Sequence, residues 1–533
     1  MSALPQNSSP SPFLKQDGAA TKSNAIDIPS ITLPKGGGAL KGIDEKFSVN
    51  AFNGTGSFSI PLPVSPSRGG FQPSLSLSYN SGGGNNIFGL GWEVGFPSIQ
   101  RKTDRKLPTY HDRDEGDVFL FSGAEDLVPV TSHPTSQQGN FEIEAYRPRI
   151  EGLFARIEKV IPSTNKKKFY WKITTKENVV TFFGISDACR ISDPQDDTRI
   201  YQWLPEISFD DKGNFMHFIY KHEDKMNIYA SLHEQHRIDG TAPFTNRYLK
   251  RIKYGNKSPF FPGYVADPSN ANALYESPTL PTEFMFEIVF DYGEHIDDSA
   301  AETTFWKARK DAFSNYKPGF EIRTYRLCER VMVFHKFSEL NSGIQTLVRS
   351  LEMKYDQSED PLLPVEVTYL TEIRQKGYTR KAGMTYSESL PPLSFEYQRL
   401  KWNKKVHHIN KEDLTHAPTG LSGDYQWTDF YNEGIPGILT EQANALYYKS
   451  NLGQGHFSQA QLVSPKPSFT GIQTGALQLM DLDANGRNQI VSYQQGLSGY
   501  FELTSENDWL PFREFEQMPS IDMNDPNTRL IDL

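Results

Sequence analysis

The residues with the clearest capacity for chemistry are Asp481, Asp483 and Asn485, in the run Asp481-Leu-Asp-Ala-Asn-Gly-Arg-Asn-Gln489. Three oxygen-bearing side chains at alternate positions, followed by a turn glycine, can wrap a hard cation such as calcium. The ninth position, where such loops place a carboxylate, is Gln489, which lowers the charge offered to a metal. The other reading is a structural turn in which the Asp and Asn side chains hold the backbone. A related loop begins at Asp429, but Tyr431 and Glu433 replace the alternate ligands there.

Other constellations are weaker. His233-Glu-Gln-His236 lacks the four-residue spacing that puts two imidazoles on one helical face for zinc. Glu142-Ile-Glu144 has the E-x-E form used by ADP-ribosyltransferases, and in a strand both glutamates share a face; a strand with two surface glutamates is the commoner meaning. Asp112, Asp114, Glu115 and Asp117 cluster around Gly116 and read as a solvated acidic turn. Neither a phosphate-binding loop, a dinucleotide fingerprint nor a G-x-S-x-G elbow is present. The residues therefore predict no catalytic site and no cofactor beyond calcium.

The elements around these residues are strands. Phe58, Ile60, Leu62 and Val64 alternate with Ser59, Pro61, Pro63 and Ser65; Leu75, Leu77 and Tyr79 alternate with serines. Period-two alternation marks half-buried strands, and the prolines of the first run place it at a sheet edge or strand end. Ile207–Tyr220 reads as a hairpin turning at Asp210-Asp-Lys-Gly-Asn214. The best helical window is about Ala301–Arg309. Residues 1–40, broken by Pro10, Pro12, Pro29 and Pro34, read as a flexible lead-in.

A repeat organises the last part. Asp481, Gly486 and Ile490 each lie 52 residues after Asp429, Gly434 and Ile438. The same offset carries Tyr448 onto Tyr500, Phe457 onto Trp509 and Val463 onto Phe515. Leu530-Ile-Asp-Leu533 resembles the start of a third copy. A strand-rich period near 50 is the signature of propeller blades. Ending there, the sequence is expected to be the N-terminal part of a longer protein or a fragment.

Composition agrees. The 533 residues include 35 Phe, 25 Tyr, 40 Gly and 35 Pro, and only 2 Cys. Aromatic- and turn-rich, cysteine-poor chains lean to all-β structure and exclude a disulfide scaffold. A formal net charge of −10 argues against a nucleic-acid binder. No run of 18 apolar residues predicts a membrane span, and the polar N-terminus lacks the pattern of a cleaved secretory signal.

Three stretches are distinctive together: Asn53-Gly-Thr-Gly-Ser-Phe-Ser-Ile-Pro-Leu-Pro-Val64, Pro73-Ser-Leu-Ser-Leu-Ser-Tyr-Asn-Ser-Gly82 and Phe88-Gly-Leu-Gly-Trp92. They resemble the SpvB family and the TcB-type proteins of insecticidal toxin complexes. The run Asp117–Pro129 and the turn Asp211-Lys-Gly-Asn214 are similar to that family too. The resemblance implies an all-β architecture: an RHS-type shell followed by FG-GAP/VCBS-like propeller blades. The domains expected are a lead-in (1–40), an SpvB-like shell (41–400) and an incomplete propeller (401–533). It implies a non-enzymatic toxin-complex component, a virulence factor whose shell encapsulates a cytotoxic cargo. The implied partners are a C-type subunit carrying that cargo and a pore-forming A-type subunit docked by the propeller. Such a protein is made in the bacterial cytoplasm and secreted without a classical signal peptide. The alternative is the delivery half of an SpvB-like ADP-ribosyltransferase, with its catalytic domain beyond residue 533.

Overall fold

In this computed structural model the chain is built almost wholly of antiparallel strands. The structure describes residues 46–518, 525 and 528, excepting 51–53, 105, 113–115, 124, 131–134, 153, 241–243, 263–268, 297, 358–366, 382–383, 399–404, 416–424, 432, 443–444, 464–476, 484–487, 495 and 505–507. The expected lead-in at 1–40, Asn485 and the third repeat start at 530–533 lie outside the described residues. The contacts divide the chain into two compact units, Met1–Leu400 and Lys401–Leu533. Among the described residues no helix is long and apolar enough to cross a membrane.

In the first unit the alternating serine-rich runs form a four-stranded sheet from Lys46–Asn50, Thr55–Pro61, Ser76–Asn80 and Trp92–Val94. Pro61 ends its strand, as expected of a residue with no amide hydrogen to give the ladder. The strand itself is interior, paired to Lys46–Asn50 on one side and Ser76–Asn80 on the other.

A much larger sheet follows. Its first part closes on itself. Ile99–Arg101 pairs with Phe119–Phe121, that with Glu125–Pro129, and that with Phe141–Pro148. Arg156–Pro162, Tyr170–Thr174 and Val180–Phe183 continue the series. Val180–Phe183 then pairs with Pro205–Phe209, which Leu204 joins to Asp196–Trp203, and Asp196–Trp203 pairs back to Ile99–Arg101. Closing the circuit removes free edges from these strands. The packing is aromatic, with Phe119, Phe169, Trp171 and Trp203 all buried.

The sheet continues through Phe215–His222, Arg247–Asn256, Phe284–Asp291, Arg330–His335, Thr346–Gln357, Thr368–Lys381 and Met384–Ser389. Strand alternation gives it two buried faces. Phe286, Ile288, Phe290, Val331, Val333 and Leu351 share a core with Ile60, Leu77 and Trp92 of the small sheet and with Leu62 just after it. Val289, Met332, Phe334 and Leu347 form a second cluster, against which Ala300 and Tyr378 pack.

The hairpin at 207–220 forms as the sequence predicts: Phe209 faces Phe215, and Asp210 Oδ1 accepts from the amides of Lys212 and Asn214 at 3.0 and 2.9 Å. The helical expectation at 301–309 does not hold. The amides of Thr303 and Thr304 donate to Glu294 O, Lys307 N to Tyr292 O and Arg309 N to Tyr325 O. Tertiary partners thus take the amides a helix would have used. The one α-helix among the described residues is Gln235–Asp239.

In the second unit the repeat becomes two four-stranded antiparallel sheets. The first holds Tyr425–Thr428, Gly437–Gln442, Ala445–Lys449 and Gln461–Val463; the second holds Leu477–Met480, Gln489–Gln494, Leu497–Phe501 and Arg513–Glu514. Each strand of the second begins 52 residues after its counterpart in the first. Leu439, Leu446, Tyr448 and Val463 of the first share a core with Ile490 and Leu503 of the second.

Candidate functional site

The repeat loops differ in how they are held. Asp429 Oδ1 and Oδ2 accept from the amides of Glu433 and Gly434 at 2.6 and 2.7 Å, so its carboxylate folds the turn without a cation. In the second loop Gln489 does the closing: its Oε1 accepts from Leu482 N at 2.7 Å and its Nε2 donates to Asp483 Oδ1 at 3.1 Å. Asn488 Nδ2 donates to Asp429 O at 2.6 Å, tying the two loops together. Of the predicted ligands, Asp481 and Asp483 are described.

Each glutamate of the E-x-E pair has a lysine partner. Glu144 faces Lys159 in register and its Oε2 accepts from Lys159 Nζ at 3.0 Å; Glu142 Oε2 accepts from Lys166 Nζ at 2.7 Å. Lys159 is buried, with its Nζ 4.5 Å from the centre of the Phe169 ring, so Glu144 serves as its counter-charge. His233 is exposed, while Glu234 beside it is buried and accepts from Arg237 Nη1 at 2.9 Å and Tyr325 Oη at 2.5 Å.

Two members of the acidic cluster at 112–117, Asp112 and Asp117, are not the solvated carboxylates that the composition suggests. Arg101 is fully buried, donates to Ile200 O at 2.7 Å, and reaches Asp112 and Asp117 at 2.7 and 2.9 Å. Asp117 also accepts from the amides of Thr109 and Tyr110, both at 2.8 Å. Burial raises its carboxyl, and these bonds and the guanidinium outweigh burial and hold it below the usual range. Asp114 and Glu115 lie outside the described residues.

The distinctive block at 53–92 is fixed by a buried ion pair. Arg309 donates from Nε and Nη2 to the two oxygens of Asp311 at 2.7 and 2.9 Å. The same guanidinium reaches Asn86 O and Asn85 Oδ1, at 2.6 and 2.7 Å. Asp311 in turn accepts from Thr368 N and Oγ1, at 2.8 and 2.6 Å. The glycines of Phe88-Gly-Leu-Gly-Trp92 answer close approaches. A Cβ on Gly89 would sit 3.0 Å from Thr368 O, and one on Gly91 would sit 2.6 Å from the Tyr79 ring. Both have positive φ, +88° and +78°. Trp92 Nε1 donates to Tyr397 Oη at 2.7 Å.

Sequence reading missed one group entirely. Asp291, Glu294 and His295, all buried, bring potential ligand atoms within 4.8 Å of one another. Protein cations already hold that space. Lys250 Nζ lies 2.6 Å from Glu294 Oε1 and 2.7 Å from His295 Nε2, and Arg330 Nε lies 2.7 Å from Asp291 Oδ2. The group is an ion-pair network rather than a metal centre.

These geometries describe a scaffold of antiparallel sheet whose charged residues clasp loops onto it. A family profile described as "SpvB: Salmonella virulence plasmid 65kDa B protein" matches residues 50–337. The chain is 36% identical over 349 residues to the mono(ADP-ribosyl)transferase SpvB of Salmonella typhimurium, covering 62% of this chain and 54% of that protein. It aligns with the Photorhabdus luminescens Tc holotoxin pore at a TM-score of 0.72 and 31% identity, over 92% of this chain and 22% of that one. With a TcdB2–TccC3 crystal structure the TM-score is 0.70 at 32% identity, over 92% and 23%. With the N-terminal domain of effector protein SpvB from Salmonella typhimurium strain LT2 it is 0.52 at 31% identity, over 60% and 98%.

The fold and these likenesses define an all-β component of the toxin-complex class. Within that class the chain belongs to the SpvB family. It spans about half the length (54%) of the curated relatives it matches. The expectation of a non-enzymatic protein is corrected here: those relatives are named as mono(ADP-ribosyl)transferases. The absence of a catalytic motif from these residues could not speak for the longer proteins of the family.

Proposed function

We propose that the first unit forms part of a β-shell wall enclosing a cytotoxic cargo, and that the second begins a β-propeller. One observation carries this reading. The likeness to the Tc holotoxin spans 92% of the chain, whereas the SpvB N-terminal domain accounts for 60%. The additional share is what a protein built like a TcB-type subunit would have. Its partners would be a C-type subunit carrying the cargo and a pore-forming A-type subunit met by the propeller. The likeness to a Tc holotoxin also favours release from the bacterium, without a classical signal peptide.

Mass-defined complex formation tests this. The natural gene product, co-expressed with a TccC-type subunit, should elute as a stable complex. Separate elution of the two proteins would contradict it.

The second reading is the delivery part of an SpvB-like ADP-ribosyltransferase. The SpvB profile match over 50–337 and the 36% identity to SpvB favour it. NAD-dependent labelling of a host protein by the natural gene product, absent with residues 1–533 alone, would support this reading.

A further inference from the structure

We infer that His295 is the acid-sensitive pin of a latch: protonating its ring releases the segment after the Phe284–Asp291 strand and uncovers an apolar strip of the sheet. This rests on hydrogen bonding around Lys250, independently of the shell reading.

Lys250 is the extra residue of a bulge, since Ile219 pairs with Arg251 and Tyr220 with Leu249. Bulges re-aim side chains. Here the ammonium donates to three acceptors: Phe290 O at 2.8 Å, Glu294 Oε1 at 2.6 Å and His295 Nε2 at 2.7 Å. An ammonium cannot accept, so Nε2 must offer its lone pair. The proton of the neutral ring then sits on Nδ1, which faces Ser299 O at 3.1 Å. A second proton can be placed only on Nε2, pointing at a cation 2.7 Å away, and it deletes the bond. Lys250, Glu294 and His295 are all buried, so water screens this clash poorly.

Other charges around the ring come from every side. Lys221, on the Phe215–His222 strand, reaches Glu302 at 2.6 Å and Glu294 at 3.4 Å. Arg251 donates to Ala300 O at 2.7 Å, and Arg330 to His295 O at 2.9 Å and Asp291 at 2.7 Å. Cys328 is a buried neutral thiol beside Asp291, Lys250 and Glu294. Among the described residues, Asp291, Glu294, Asp298 and Glu302 are the negative charges of the segment itself. Burial first, and Lys250 second, push the His295 ring below its usual 6.5. The opened segment therefore binds the proton before the closed one does. The latch is at full strength above pH 6.5 and weakens as pH falls through that value towards the lower closed-state pKa.

What the latch covers follows from the second sheet face. Ala300 packs on Val289, Met332, Phe334 and Leu347. Releasing the segment bares this strip to apolar partners.

Amide hydrogen exchange on the unmodified protein tests the proposal, read as protection factors from about pH 7.5 to about pH 5.5. Protection at Glu294–Ile296 and Thr303–Thr304 should fall by up to about tenfold per pH unit below 6.5. Val331–Phe334 amides, as the reference, should stay constant, and binding of an apolar fluorescent dye should rise in parallel. His295→Gln keeps an acceptor for Lys250 without a titrating ring, so its profile should be flat. A flat profile in the unmodified protein, an undiminished slope in His295→Gln, or a dye signal that does not change overturns the latch.

Discussion

Asp311 grips Arg309 through both carboxylate oxygens, at 2.7 and 2.9 Å, with neither side chain reaching solvent. The pair joins the 53–92 block, through Asn85 and Asn86, to Thr368 at the start of the Thr368–Lys381 strand. Removing one partner leaves an uncompensated buried charge. Asp311→Ala should therefore cost about 3–5 kcal/mol in urea unfolding. Arg309→Met with Asp311→Leu should recover much of that loss. A single variant as stable as the parent would show that the pair is not the clasp.

The same pair gives an acid dependence. Burial alone would raise the Asp311 carboxyl; Arg309, Thr368 and Asn85 outweigh that and hold it below its usual 3.8. A lowered folded value means the stability is fully present above pH 3.8 and is lost as pH falls through the folded value. Asp311→Asn should flatten the part of the acid-unfolding curve below pH 3.8, and an unchanged curve would assign it to other carboxylates.

Gly91 has φ +78°, and a Cβ there would meet Asn80 O at 2.7 Å and the Tyr79 ring at 2.6 Å. Gly91→Ala should lower stability by at least about 1–2 kcal/mol from backbone handedness alone, with steric strain added. The thermal midpoint reads this directly, and no fall would contradict the close-approach account of the Phe88–Trp92 motif.

Glu144 is the counter-charge of buried Lys159 rather than a free carboxylate. Glu144→Gln should cost about 1–3 kcal/mol, because a charged donor then keeps a weaker acceptor. Adding Lys159→Met should restore part of the loss. If the two substitutions are simply additive in a double-mutant cycle, the cross-strand pair contributes nothing.

For the 481 loop the proposal is calcium held by Asp481, Asp483 and Asn485, with Asp483 giving up its bond from Gln489. Calcium should then raise the melting temperature, and Asp481→Ala should remove the rise. The Asp429 loop closes on its own amides, so Asp429→Ala should destabilise equally with and without calcium. No calcium effect in the unmodified protein removes the metal proposal.

Legibility followed sequence distance. The two repeat sheets were readable because strand starts recur every 52 residues, a pattern that survives without knowing any contact. The 207–220 hairpin was readable because Asp210 acts within four residues. The pairing of Asp112 and Asp117 is not legible in the 112–117 composition because their neutralising partner, Arg101, contributes from the Ile99–Arg101 strand. The 301–309 window has helical residues, but Glu294, Tyr292 and Tyr325 capture its amides. Lys250 and His295 are 45 residues apart and meet through a bulge, which leaves no periodic trace. The glycines of the 88–92 motif were visible as a pattern; that Thr368 lies against Gly89 was not.

The central claim is that the large antiparallel sheet of the first unit is one wall of a closed shell. Protease protection of the cargo tests it most directly. The full-length protein is assembled with a C-type subunit bearing a protease-sensitive reporter, and cleavage is followed against the free reporter. The account predicts that the reporter survives inside the complex and is cut once acid or denaturant opens the shell. Cleavage at the rate of the free reporter, in an intact complex, would contradict it.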